Sequence, residues 1–124
     1  GFWEIAHPYS RFITFNGNMF DVPMLTFRSM VNSVQPSVKI STKRYQVGNH
    51  VDVRALLGDW DSRAKGTLDY YSKILLGESK ADGIDGSFVQ SLWDVGAYEE
   101  IAAYNQAECR SLKAIYQKMI GFYI

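Results

Sequence analysis

A single cysteine, Cys109, excludes an intramolecular disulfide in the 124-residue chain. A chain without disulfides suits a reducing compartment, so the expected location is cytoplasmic. Net charge is missing too: thirteen basic and thirteen acidic side chains cancel. That excludes a strongly basic nucleic-acid binder of the histone or repressor kind, while leaving room for an enzyme that grips a few nucleotides through metal ions. No apolar run approaches the ~20 residues of a membrane span, and no stretch reads as a signal peptide. Internal repeats, low-complexity tracts and a linker are also lacking, so residues 1–124 read as one domain or a piece of one. The first residue is Gly1 rather than Met, which suggests a processed, tagged or excised fragment. What is plentiful is aromatic side chain, at 15% of residues. Large rings let a small domain build a core, so this is first a packing signal.

The chain is organised around Arg11–Met24, RFITFNGNMFDVPM. Arg11 to Phe15 is rich in aromatic and β-branched types and reads as a short strand. Asn16, Gly17 and Asn18 break the run as turn residues do. Asp21-Val22-Pro23 then reads as a helix start, with Asp21 at or near the N-cap and proline in the first turn. An acid just past the end of a strand, at a strand-to-helix corner, is where open α/β sheets place ligand chemistry. A purely capping role for Asp21 fits the local pattern equally.

Elsewhere the patterns are mostly helical. Phe2 to Tyr9 reads as the tail of a helix stopped by Pro8. A helix is expected over 21–33, with Val22, Met24, Leu25 and Met30 on one side. Residues 38–42 form a candidate extended segment and 43–48 a loop. Lys39, Lys43 and Arg44 are the most basic spot, either a solvated loop or one that contacts phosphate. Asp52 is expected to cap a short helix burying Val53, Leu56 and Leu57 and ended by Gly58. Thr67 caps a helix to Leu76, with Leu68, Tyr71 and Leu75 inward and Gly77 as its stop. Residues 78–86 are polar and glycine-rich, and their DGIDG run reads as a turn rather than a calcium loop, for want of the ligand spacing and distal Glu. A helix with Val89, Leu92 and Trp93 apolar follows Ser87, Gly96 interrupts it, and Tyr98–Tyr123 is the longest helix. Its apolar face carries Ile101, Ala102, Leu112, Ile115, Tyr116 and Met119. One strand cannot make a sheet, so weak segments or strands from outside the chain must complete it.

On the last helix Tyr104 and Glu108 are four apart and therefore share a face, one turn from each other. His7 and His50 lack partners at metal-ligand spacing and read as structural. Cys109 reads as a small buried hydrophobe.

Together these segments are more specific than any one. TFNGNMFDVP resembles the second motif, N-x-x-x-F-D-x-P, of the DnaQ-like (DEDDy) 3′–5′ exonucleases, in the form found in B-family polymerase proofreading domains. NHVDVRALL is similar to their His-x-Asp-Leu segment and KGTLDYYSKILLG to their T/S-L…L-G helix. SLWDVGAYEEIAAYNQAECRSLKAIY resembles the third motif, a helix carrying Y-x-x-x-D. The likeness is co-linear from about Phe2 to the C-terminus, and it points to the predicted exonucleases related to the polymerase B proofreading domain.

The resemblance implies an α/β, ribonuclease H-like fold, mostly helical. It also implies phosphodiester hydrolysis at single-stranded DNA 3′ ends, with RNA as an alternative substrate, by a two-metal mechanism using Mg²⁺ or Mn²⁺. In that scheme Asp21 and Glu108 are metal ligands, Tyr104 orients the attacking water, and Asn16 and Phe20 touch the terminal nucleotides. Asn16 also reads as a turn residue, Phe20 as a core residue and Asp52 as a helix cap. There are two departures. Glu108 replaces the family's Asp, and its carboxylate reaches one methylene further. The first motif, Asp-x-Glu on a leading strand, is absent, so the fold is expected to lack its N-terminal β-hairpin. Two other readings stay open. One is a degenerate or truncated relative that binds nucleic acid or protein. The other is a split enzyme, in which a second copy or a partner chain supplies the missing strand.

Overall fold

A computed structural model describes residues 1–78 and 86–124. The expected turn at Asp82–Gly86 lies largely outside them. The chain divides into two compact units, Gly1–Gly66 with Tyr123–Ile124, and Thr67–Phe122.

The first unit is built on a βαβ arrangement. Helix α1 (Phe2–Ala6) leads to β1 (Phe12–Thr14), helix α2 (Asp21–Val31), β2 (His50–Asp52) and helix α3 (Val53–Leu57). β1 and β2 pair in parallel, Phe12 opposite His50, Ile13 opposite Val51 and Thr14 opposite Asp52. Parallel neighbours require a crossover, and α2 with residues 32–49 supplies it. The second strand is thus 50–52. The extended candidate at 38–42 is not a strand; it runs alongside β2, its Ser41 N–H donating to Asn49 Oδ1 at 2.9 Å and its Lys39 carbonyl accepting from Asn49 Nδ2 at 2.9 Å. An asparagine side chain thus does there what a ladder bond would do. The fold is mostly helical with a two-stranded parallel sheet among the described residues, which is compatible with an α/β class.

The core of this unit is small. Val51 and Val53 are fully buried, and Trp3, Ala6 and Val22 are buried with them. Trp3 anchors α1: its indole N–H donates to Ser29 Oγ at 2.9 Å, and its carbonyl accepts from Ser37 Oγ at 2.6 Å. A buried indole needs such a partner, and Ser29 on α2 provides it. The packed side of α2 is consequently Val22, Leu25 and Ser29, whereas Met24 and Met30, expected on that side, are exposed. The helix also ends at Val31, earlier than the 21–33 span.

The second unit is all helical among its described residues: α4 (Leu68–Leu76), a 3₁₀ turn (Gly86–Phe88), α5 (Val89–Asp94) and α6 (Tyr98–Met119). The cap signals act as expected at α4. Thr67 Oγ1 accepts from Tyr70 N–H, and Gly77 closes the helix at φ 68°, a left-handed conformation natural to glycine. α4 and α5 both pack on α6, and Ser111 Oγ of α6 donates to Glu78 Oε2 at 2.8 Å. Ile115 and Met119 are the buried residues of α6, which stops at Met119 rather than continuing to Tyr123. Trp93 of α5 is 59% exposed, and Ala102, expected on the apolar face of α6, is exposed as well. No helix among the described residues is long and apolar enough to cross a membrane.

Candidate active site

The corner after β1 is held by side chains from β2. Asn16 takes a left-handed conformation, φ 67°, which asparagine tolerates better than most residues. Its carbonyl accepts from the N–H groups of Met19 and Phe20, and the Gly17 carbonyl accepts from Val22 N–H at 3.0 Å. The turn thus runs directly into α2 and satisfies backbone donors that a side-chain cap would otherwise take. Asp21 is therefore the first helical residue, not the N-cap. The N-cap is Phe20, and no side chain caps this helix.

Asp21 is exposed, and its carboxylate makes no hydrogen bond or ion pair among the described residues. The capping role is thus not exercised. Phe20, 60% exposed, stands beside it rather than in the core. Asn16 is a turn residue whose side-chain oxygen also faces Arg54, with Nη1 at 3.4 Å.

Sequence reasoning assigned Asp52 a cap and missed its second task. It does cap α3, accepting from Ala55 N–H at 3.2 Å. The same carboxylate also accepts from Asn16 N–H at 2.8 Å and from Asn18 N–H at 3.1 Å. Asp52 is 4% exposed, and these donors offset the cost of burying its charge. No spacing rule links residues 34 and 36 apart; only the parallel register of Thr14 with Asp52 does so.

One residue pair back, Thr14 and His50 form a second tie. The Ser41 carbonyl can only accept, so His50 Nδ1 carries the proton it receives at 2.9 Å. In the neutral ring Nε2 then accepts from Thr14 Oγ1 at 2.7 Å, and that oxygen in turn accepts from Gly17 N–H at 3.1 Å. Gly17 is buried, and a Cβ there would lie 2.1 Å from Thr14 Oγ1, so only glycine lets the turn close. His50 is structural, as expected.

Tyr104 and Glu108 lie in the other unit, one turn apart on α6, and both are half-buried and engaged in interactions. Cys109, expected inside, is exposed instead, because it lies about 100° around the helix from Glu108. Among the described residues, no three His, Cys, Asp or Glu side chains come together as a metal cage. Asp21 and Glu108 are oxygen donors of the kind Mg²⁺ and Mn²⁺ accept. Asp52, the buried carboxylate near the corner, is committed to backbone donors. The residue types and the open carboxylate fit such an ion; their number does not complete its cage.

A cleft of about 350 Å³ adjoins the corner, lined by Asn16, Asn18, Arg44, Arg54, Trp60 and Asp61 among others. It lies beyond the carboxyl ends of both strands, where parallel sheets receive ligands. Arg63 binds Asp61 through its side chain and its backbone N–H and holds that carboxyl below the usual aspartate range, helped by Arg44.

No curated protein and no solved structure matches the chain. A family model does, over residues 1–120, spanning the strand, the Asn16–Asp21 corner, the Asp52 segment and the Tyr104–Glu108 helix. The chain belongs to the family of predicted 3′–5′ exonucleases related to the exonuclease domain of PolB.

Proposed function

We propose that this domain hydrolyses single-stranded DNA from its 3′ end with the help of Mg²⁺ or Mn²⁺. The observation that supports the reading best is Asp21: an exposed carboxylate without a partner among the described residues, at the first residue of α2, just after a turn fixed by a buried network beyond the carboxyl end of a parallel strand. Family membership supplies the chemistry that this carboxylate would serve. In this reading Asp21 and Glu108 hold metal ions as carboxylate ligands. Tyr104, one turn from Glu108, hydrogen-bonds and orients the attacking water. Asn16 and Phe20 contact the terminal nucleotides, Phe20 by stacking its exposed ring. The ions, when bound, acidify water and offset charge on the leaving oxygen.

Because the ligand set is partial and the 124 residues contain no Asp-x-Glu, the reading requires further carboxylates from a second copy, a partner chain or another segment. A second reading follows from that same shortage: a relative without catalysis that keeps the fold to bind nucleic acid or protein. The test is degradation of a 3′-labelled oligonucleotide with Mn²⁺. Asp21→Ala and Glu108→Ala should each abolish metal-dependent degradation. Unchanged degradation by either variant would sink the assignment, and binding without any degradation would favour the second reading.

A further inference from the structure

Of the residues lining the cleft bordered by Arg54 and Trp60, only Asn16 has a role in the scheme above. The cleft shares the Asn16–Asn18 turn with the Asp21 corner, yet Asp21 does not line it. Four of its lining residues are charged, and their states differ. The Asp52 oxygens are taken by three backbone N–H groups. Asp61 is paired with Arg63, with Nε at 3.1 Å. Arg44 and Arg54 make no ion pair among the described residues. They are tied instead to neutral oxygens: Arg44 Nη2 donates to the Trp60 carbonyl at 2.9 Å, and Arg54 Nη2 donates to the Ala64 carbonyl at 2.8 Å. Two guanidinium groups are thus pre-positioned without a salt bridge among the described residues, and a planar fork of donors suits a phosphate.

The aromatic wall is held as firmly. Trp60 is half-buried, and its ring lies 5.6 Å from that of Tyr45, over which the Arg44 guanidinium sits at 4.8 Å. Asp59 and Trp60 are successive left-handed residues, φ 54° and 62°, and neither is glycine. Such strain persists only where the surroundings dictate it, and it collects at ligand clamps. The volume falls near the lower end of small-ligand pockets, roughly 300–1,000 Å³.

We propose that this cleft is a nucleotide subsite: a base lies against Trp60, and its phosphate is taken by Arg44 and Arg54. It rests on the exonuclease reading for the polymer it serves, and there it seats the nucleotide next to the one presented at Asp21. Of the two roles open to the basic spot at residues 39–44, this assigns phosphate contact to Arg44.

The test separates the subsite from the chemistry. The whole chain, in EDTA, is titrated with a thymidine pentanucleotide, with thymidine 5′-monophosphate and with inorganic phosphate. The indole N–H signal of Trp60 is followed by NMR, with that of buried Trp3 as reference. The pentanucleotide should move the Trp60 signal and leave Trp3 in place. A matching response to the monophosphate extends the subsite to free nucleotide, and its absence confines the subsite to the polymer; both sustain it. Trp60→Ala and Arg44→Ala should each weaken pentanucleotide binding about fivefold or more, the effect of losing one stacked base or one charged hydrogen bond. Arg44 is an exposed loop residue, so its variant keeps the test valid if Trp60→Ala misfolds. A still Trp60 signal at millimolar pentanucleotide, an equal shift with inorganic phosphate alone, or wild-type binding by Arg44→Ala would overturn the proposal. EDTA keeps this binding readout apart from hydrolysis, so a protein that degrades the oligonucleotide with Mn²⁺ but keeps a silent Trp60 in the titration sinks the subsite alone. A responsive Trp60 in a protein that never hydrolyses sinks only the exonuclease reading.

Discussion

Asp52, at the end of β2, accepts the backbone N–H of Asn16 at 2.8 Å and so fixes the turn that follows the neighbouring strand. This buried carboxylate is the hinge pin of the corner. Asp52→Asn keeps the shape but presents an NH₂ toward backbone donors that need an acceptor. Each buried donor left unpaired costs about 1–3 kcal/mol. Urea unfolding should therefore show a loss of about 2–4 kcal/mol, and the Asn16 and Asn18 amides should exchange with solvent faster than those of α4. A variant as stable as wild type, with both amides still protected, would refute the pinning role.

The Thr14–His50 tie predicts a different pattern. Thr14→Val conserves volume and removes the hydroxyl, which leaves Gly17 N–H and His50 Nε2 without their partner. The expected cost is about 1–3 kcal/mol, whereas Thr14→Ser, which keeps the oxygen, should lose less. Gly17→Ala should be worse than either, because its methyl would meet Thr14 Oγ1 at 2.1 Å. Thermal or urea unfolding of the three variants checks the order. Gly17→Ala with unchanged stability would mean the turn has room that the structure denies it.

How much of this was legible beforehand depended on range. Local signals read well: Thr67 and Gly77 bracket α4, and Asp52 caps α3, because caps act over three or four residues. Strand β2 was hidden because it is three residues long, carries buried His50 and Asp52, and passes straight into a helix. A period-two pattern cannot be seen in HVD. The capping role open to Asp21 is not taken up, since the donors of α2 are served by the backbone of the preceding turn. Arg54 and Trp60 carried no signal at all; their neighbours are distant in sequence and meet only through the fold.

Asp61 gives a pH-dependent prediction. Its pairing with Arg63, seconded by the charge of Arg44, lowers its folded pKa below the ordinary 3.8. The pairing is therefore complete above pH 3.8 and is lost as pH falls through the lower folded value. The group is fully exposed, so little global stability rides on it. The Asp61 side-chain carbon signal should titrate with a midpoint below 3.8, and Arg63→Ala should move that midpoint upward. No movement would show that the pair does not persist in solution.

The last prediction separates holding the fold from serving the site. Asp21 has no partner among the described residues, so Asp21→Asn removes only its favourable charge in the first turn of α2, worth about 0.3–1 kcal/mol near a helix N-terminus. Stability should fall by no more than that, in contrast to Asp52→Asn, although both variants exchange one carboxylate for an amide at the same corner. Metal-dependent degradation should respond in the opposite sense, abolished by Asp21→Asn through the loss of an anionic ligand. Unfolding and nuclease measurements on the same preparation distinguish the two effects. A large stability loss for Asp21→Asn would reveal a structural partner for its carboxylate and remove the main support for treating it as a ligand. A stable, fully active variant would leave the corner rigid but without the chemistry assigned to Asp21.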